Sequence, residues 1–421
     1  MSAAVPSIAI IGGGISGLSC AYLLSREYDV TLYEAADQIG GHTATKKVEV
    51  DSGEYWIDTG FIVYNDRTYP NFIKLMDQLG VQGQKTEMGF SVSCEQSGLE
   101  YAGTSINGLF AQRRNLLSPQ HWSMLKDIVA FNRHCTKLYE EDAVPKGITL
   151  AEFLQIHQYS PAFSRFYLLP MVSAIWSSGT QAAAQMPLEF FIRFFHNHGL
   201  LTVTDQPQWY TLRGGSHAYL EPLTRSFQDN IVVNAGIEGV TRTPEGVNVQ
   251  RQGGMSEHFD HVIFACHSDQ ALALLRDPSA TEIAVLSAIP YKSNQVVLHT
   301  DTAMLPSSRR AWASWNYRLK GAVDERTLLT YNMNILQCIE AQETFCVTVN
   351  PDAAVNPARV LGEYEYAHPV FTLDSVAASA RWAEISGAMN THYCGAYWHN
   401  GFHEDGLASA LRVAKAFGVS L

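Results

Sequence analysis

Four glycines within six residues, Gly12, Gly13, Gly14 and Gly17, follow directly on the apolar run Ile8, Ala9, Ile10 and Ile11. A short run without polar alternation suits a parallel strand covered on both faces, and the spacing of Leu18, Ala21, Tyr22 and Leu24 suits a helix after the glycines. Gly12, Gly14 and Gly17 have GxGxxG spacing, the turn in which backbone approaches a pyrophosphate while a helix N-terminus stabilises the negative charge. The next apolar run, Val30 to Tyr33, ends in Glu34, seventeen residues past Gly17, where an acid can accept from ribose hydroxyls. Strand, turn, helix, strand and acid together predict a Rossmann-like dinucleotide unit with Gly12, Gly14, Ile15, Ser16, Gly17 and Glu34 against the cofactor.

Composition narrows the remaining classes. The 421 residues allow two or three domains, and 46% hydrophobic with 17% charged residues is ordinary for a folded chain. A net charge of −12 without a dense Lys/Arg tract lacks the electrostatic footprint of a nucleic-acid binder, so no nucleic-acid partner is expected. The seven cysteines are odd in number and scattered, with no CxxC pair, the pattern of reduced thiols in the cytoplasm. The apolar stretch from Ala3 to Leu24 has no basic start and carries glycines at its centre, so it is read as strand, turn and helix rather than as a leader or a membrane span. The pairs His196-x-His198 and His399-x-x-x-His403 lack the Cys or carboxylate company of a metal site, and no GxSxG elbow supports hydrolase chemistry.

Further anchors are Gly40-Gly41-His42 after Glu34, Asp58-Thr59-Gly60, "VIFAC" at 262 to 266, and the tail "GFHEDGLASALRVA". Spread over nearly the whole chain, these motifs resemble the flavin-containing amine oxidoreductase superfamily, which includes monoamine and polyamine oxidases and phytoene desaturases. The resemblance implies an α/β fold, a glutathione reductase-type FAD domain with an inserted α+β substrate domain, and FAD, which is expected to be held without a covalent bond because no attachment cysteine is evident in this chain. It implies FAD contacts from Gly40, Gly41, His42, Thr59, Gly60 and Ala265, adenine held by the backbone of Ile237, and Asp405, Gly406 and Leu407 at the flavin, where a last helix would aim its free N–H groups. The expected FAD domain comprises 1–80, 205–270 and 385–421, the substrate domain 81–204 and 271–384, with crossings at Arg213 to Gly215 and Cys266 to Asp269.

The chain also departs from the family pattern. Gln38 and His42 stand where many members carry arginines, and the lysine beside flavin N5 in amine oxidases corresponds to about Val296. No counterpart of the flavin-attachment cysteine is evident. Phe402 matches one aromatic of the amine-oxidase cage, and its partner is left open among Tyr364, Tyr366 and Phe371. The candidates for the reacting site are Phe402, Trp398 and His399, with Tyr366 and His368 on a second strand.

A narrower likeness lies in "PMVSAIWSS", "FHNHGLL" and "WYTLRGGSHAYL". These segments are similar to bacterial flavoproteins that accompany cyclopropane fatty acid synthase-like methyltransferases. That likeness implies an unsaturated or methyl-branched acyl chain as substrate, and a functional link to such a methyltransferase. The aromatic insert fits either of two readings: Phe153, Phe163, Phe166, Trp176 and the helix from Pro187 to His198 form a core, or part of that surface, such as Phe191, lines an apolar tunnel. Likewise 106–126 reads as an ordinary surface helix pair, with Ser118 capping and Pro119 at the first turn, or as an apolar and cationic membrane-surface element at the inner face of a membrane. Thr149 and Glu152 predict a capping box. An amine oxidase and a non-catalytic FAD-containing lipid carrier remain as alternatives.

Overall fold

The computed structural model describes residues 5–202, 206–321, 326–351 and 355–421; Ala3 and the expected boundary at 204/205 lie outside the described residues. A five-stranded parallel sheet is built in the order Ile231–Val232, Asp29–Tyr33, Ser7–Ile11, His261–Phe264, Thr391–Tyr393. In chain order this is 3-2-1-4-5, the doubly wound arrangement whose ligand crevice lies beyond the carboxyl ends of the strands. The strand Ser7–Ile11 sits at its centre with Ile8, Ala9 and Ile10 fully buried, which is why it needs no polar alternation.

The helix Ile15–Leu24 follows, with nine of its ten residues buried between this sheet and the closing helix His403–Ala416. Close approach is a backbone matter here: a Cβ on Gly17 would lie 1.9 Å from the Gly12 carbonyl oxygen, so only glycine fits. Ser16 Oγ donates to the Gly406 carbonyl at 3.0 Å and ties the two helices at their N-terminal ends. A three-stranded antiparallel layer, Ile237–Thr243, Gly246–Arg251 and Ser256–Phe259, covers one face of the parallel sheet through Val240, Val247 and Val249.

The second half rests on a seven-stranded sheet ordered Val360–Pro369, Tyr291–His299, Cys346–Val349, Leu329–Asn332, Trp315–Leu319, Phe90–Cys94, Leu99–Ala102. All neighbours are antiparallel except Trp315–Leu319 and Phe90–Cys94, which join chain segments far apart in sequence. A helical layer from Pro119 to Asn197 packs above it around Phe131, Phe153, Phe163 and Phe191. Ser118 Oγ accepts from the His121 amide at 3.3 Å with Pro119 at the first turn, and the Thr149/Glu152 capping box is present.

The domain limits read from the sequence need two corrections. The helix Ser268–Leu274 runs through the expected limit at 270/271, and Ala271, Leu275, Val285 and Leu286 pack with Ala9 and Val262 on the cofactor side. Conversely Val48, Ile57 and Ile62, within 1–80, pack with Val296, Leu298 and Met333 against the seven-stranded sheet. Apolar burial, not motif position, decides which half a segment joins.

Candidate functional site

The glycine turn is assembled as the motif requires. The Gly13 amide donates to Glu34 Oε2 at 2.7 Å and the Ala36 amide to Oε1 at 2.8 Å, so Glu34 fixes the turn as well as offering its free lone pairs to a ligand. A Cβ on Gly14 would meet nothing within 4 Å, whereas one on Gly41 would sit 3.1 Å from Gly14 Cα, so the two loops form a narrow cradle with open space on one side. Gly40 has φ +123 and its Cβ would strike the Thr43 carbonyl, which makes it a turn residue.

Asp58 organises the crossing between the halves. It is buried, accepts from the Ser216 amide at 2.9 and 3.0 Å and from Ser216 Oγ at 2.9 Å, and thereby holds Arg213 to Gly215 against 58–60. Burial pushes its carboxyl up to about 6 against the pull of Thr45 and Ser216. Thr59 Oγ1 lies 2.7 Å from the Tyr366 hydroxyl, which joins this loop to the strand Val360–Pro369.

A continuous cavity of about 1580 Å³ begins at this cradle. Gly12, Gly14, Ile15, Ser16, Glu34 and Gly41 line it, with His42, Thr59, Gly60, Ile237 and Ala265. Gly17 and Gly40 do not; each serves the fold of its turn. Single ligand sites usually measure about 300–1,000 Å³, so this space exceeds one small-molecule site. A backbone cradle, a helix N-terminus and a carboxylate at the end of the second strand fit FAD, with Gly12, Gly14, Gly41 and Glu34 at its phosphate and ribose end.

At the other end of the cradle three imidazoles converge. His42 lies 5.2 Å from His368, 5.5 Å from Tyr366 and 6.4 Å from His267, measured between ring centres. Burial pushes His42 down to about 4 and His368 to about 3, and their neighbouring imidazoles act in the same direction, so both rings are neutral at pH 7. Asn294 Nδ2 donates to His368 Nδ1 at 3.1 Å while its Oδ1 accepts from Asn350 Nδ2 at 2.8 Å. This relay leaves the His368 proton on Nε2.

Phe402 lines the cavity, but its neighbours come from the helical layer: Phe194 at 5.1 Å in a stacked pair, His198 at 6.0 Å and Trp176 at 6.3 Å. Trp176 Nε1 donates to the Asn400 carbonyl at 3.1 Å and so fixes the loop that carries Phe402. Phe371 stacks instead on Phe190 at 4.6 Å, and Tyr364 on Tyr366 at 6.4 Å. None of the three forms a ring pair with Phe402.

Several expected site residues lie elsewhere. Trp398 is buried in the core with Tyr393 and Tyr397, and His399 is exposed, because the short turn Ala396–Trp398 carries both side chains away from the cavity. At the start of the closing helix the lining residues are Phe402, which precedes it as the N-cap, and His403, not Asp405, Gly406 or Leu407. Asp405 accepts from the Phe402 amide at 2.9 Å as a cap, and burial pushes its carboxyl up to about 7. Gly406 and Leu407 pack on the helix Ile15–Leu24. Phe191 is wholly buried among Phe131 and Phe195, and Phe194 is the phenylalanine of this helix that reaches the cavity. His403, weighed in the sequence only as half of a metal pair, is 7% exposed, stacks on Phe61 at 3.7 Å, and has Nε2 at 2.9 Å from Tyr219 and 3.1 Å from Thr43. Its place directly after Phe402, at the first position of the closing helix, is the signal that could have found it.

Among the described residues no three His, Cys, Asp or Glu side chains gather to hold a metal ion, and no helix is long and apolar enough to cross a membrane.

Comparison with known proteins agrees with this geometry. A family model described as flavin containing amine oxidoreductase matches residues 15–330. Amine oxidase [flavin-containing] A of Canis lupus familiaris is 40% identical over 83 residues, and 15-cis-phytoene desaturase of Synechococcus elongatus 36% identical over 76 residues. These alignments cover 19% and 18% of this chain and only 15% of each relative. Whole-fold similarity is broader. A CLA-producing fatty acid isomerase from P. acnes superposes with a TM-score of 0.71 at 15% identity over 99% of both chains. Cyclohexylamine oxidase from Brevibacterium oxydans IH-35A gives 0.68 at 15% identity, over 98% of this chain and 100% of that one.

Proposed function

The chain belongs to the flavin-containing amine oxidoreductase family, with FAD as its cofactor, and from that premise we propose that it oxidises an unsaturated or methyl-branched fatty acyl chain, carried in a phospholipid. The observation that carries this reading is the continuity of the cavity from the cofactor cradle into an arm walled by Tyr167, Met171, Ile175, Trp176, Phe194 and Phe402. An acyl chain offers few hydrogen-bonding handles, so its recognition rests on apolar burial, about 0.8 kcal/mol for each CH₂ before the cost of ordering the chain. That the same fold serves a protein named as a fatty acid isomerase supports an acyl occupant.

Bound in the cradle, FAD supplies the acceptor for a hydride or its equivalent from an activated C–H. The chain's own residues orient and dry the reacting carbons. Phe402, braced by Phe194 and Trp176, walls one side, and Tyr366 and His368 line another. His368, held by Asn294, presents an uncharged N–H donor. Among the described residues the lining carboxylates are Glu34 and Glu87; Glu34 is engaged at the glycine turn and Glu87 is exposed.

An amine oxidase is the second reading, on the family resemblance and the cage match at Phe402. Val296, at the expected lysine position, is buried with Leu298 and Met333 and lines the cavity as an apolar residue, which favours the acyl reading. Anaerobic absorbance titration of the FAD-loaded protein separates them. Dispersed unsaturated or methyl-branched phospholipids are expected to bleach the flavin band and simple amines to leave it unchanged. Bleaching by a polyamine with no response to any acyl lipid gives the amine reading, and no bleaching by either class gives the lipid carrier.

A further inference from the structure

Among the described residues, five of the thirteen exposed large apolar side chains, Ile106, Leu116, Leu117, Trp122 and Val129, fall within residues 106–129. Leu117 at 88% and Ile106 at 79% are the two most exposed of them all. The segment is ordered: Trp122 Nε1 donates to the Leu116 carbonyl at 2.9 Å, and Phe110, which is buried, packs against Trp122 at 5.4 Å. The turn Arg113–Leu117 is therefore pinned to the start of the long helix Pro119–Glu140, and among the described residues none covers Leu116 or Leu117, which are exposed.

Charge on this face runs against that of the molecule. From 106 to 126 there is no Asp or Glu, while Arg113, Arg114 and Lys126 are present, in a chain of net charge −12. In the middle of the long helix Trp122, Lys126, Val129, Ala130 and Arg133 are exposed on one face at helical spacing; Pro119 and Gln120 are exposed at its start, and Lys137 and Glu140 at its end. Asp127 is turned away, accepting from the Ser160 amide at 2.9 Å. Among the described residues neither Lys126 nor Arg133 has an ion-pair partner. The same helix also builds the cavity: Leu125, Ile128 and Asn132 line it, as does Val129, which is half exposed. At Val129 the cavity wall and the apolar, cationic face are one surface.

We infer that this face docks on an anionic phospholipid bilayer, so that an acyl chain passes from the membrane into the cavity beside Val129 without crossing water. The inference rests on the acyl-lipid reading for what the surface serves. Apolar side chains ringed by unpaired cations suit the headgroup boundary, where apolar burial and attraction to anionic lipid add.

Flotation of the FAD-loaded protein with vesicles tests it, comparing phosphatidylcholine alone with phosphatidylcholine containing phosphatidylglycerol. Binding is expected to the anionic vesicles and to be reversed by salt. The double variant Leu117→Ser/Trp122→Ser is expected to lose at least about tenfold in vesicle affinity, and Lys126→Gln/Arg133→Gln roughly fivefold for each cation removed. Both variants should keep their flavin absorbance and the rate of flavin reduction by detergent-dispersed acyl lipid, and lose rate only with vesicle-embedded lipid. No flotation of the unaltered protein, flotation that neither variant changes, or a dimer in solution that Leu117→Ser/Trp122→Ser dissolves would overturn the inference. Reduction by dispersed lipid without flotation removes the docking face and leaves the acyl reading, whereas salt-reversible flotation without reduction by any acyl lipid removes the acyl reading and leaves the membrane contact.

Discussion

The glycine-turn cradle and the aromatic arm of the cavity are specified by different kinds of physics. Around the glycine turn the requirement falls on backbone, since Gly17 must let the Gly12 carbonyl approach and Gly41 must let Gly14 approach. Few residue types satisfy such a contact. In the arm beyond Phe402 the requirement is an apolar wall of a given shape, to which Phe194, Trp176, Met171 and Ile175 contribute side-chain volume. That difference explains how a fold can be shared over 99% of two chains at 15% identity, and why family membership is firmer than any one substrate.

The largest expected effect breaks the comparison on the cofactor side. Gly17→Val places a side chain where even a Cβ would lie 1.9 Å from the Gly12 oxygen, so the expressed protein is expected to carry no FAD and to lose cooperative unfolding. Retention of one FAD per chain, measured by absorbance after desalting, would refute the close approach. Glu34→Ala removes an acceptor that also pins the Gly13 amide, and is expected to weaken FAD binding by about 1.5–3 kcal/mol, or roughly 10- to 100-fold. Dialysis equilibrium measures it, and unchanged affinity removes Glu34 from the ribose site.

A smaller effect comes from His403, the histidine that opens the closing helix. Burial holds His403 down to about 3, far below an unfolded imidazole near 6.5, so the unfolded chain takes up this proton first as pH falls. Its contribution is fully present above about pH 6.5 and is lost progressively toward the folded value, about 2 kcal/mol by pH 5. Denaturant titrations at pH 7.5 and 5 should show a shallower acid loss in His403→Gln than in the unaltered chain; equal losses would contradict the assignment. The smallest effect sharpens the substrate side. Phe194→Leu keeps an apolar wall and is expected to cost about 1 kcal/mol or less in stability while leaving FAD affinity unchanged. Denaturing mass spectrometry should meanwhile find an unmodified polypeptide and free FAD.

The same division governs what the sequence could tell. Ser7–Ile11, the glycine turn, Glu34 and the caps at Ser118 and Thr149 are legible because each is set by neighbours within a few residues. The pairing of Trp315–Leu319 with Phe90–Cys94 is not, since nothing local joins strands so far apart in the chain. Side-chain direction was harder still. The helix Leu188–Asn197 sets Glu189, Arg193 and Asn197 on one exposed stripe and apolar residues around the rest, and periodicity cannot tell which of those buried phenylalanines, Phe194 or Phe191, faces the cavity and which the core. Trp398 and His399 stand next in sequence to the site, yet one is buried in the core and the other exposed, and both lie outside the cavity.

The central claim is that the cradle holds FAD while the aromatic arm, independently, selects an acyl chain. Stopped-flow anaerobic flavin reduction by a dispersed unsaturated phospholipid, comparing the unaltered protein with Phe194→Leu at equal FAD content, tests it most directly. The account predicts bleaching of the flavin band in the unaltered protein and a several-fold slower or weaker-saturating reaction in the variant, with FAD stoichiometry the same in both. Identical reduction kinetics, or a variant that fails only because it has lost FAD, would contradict it.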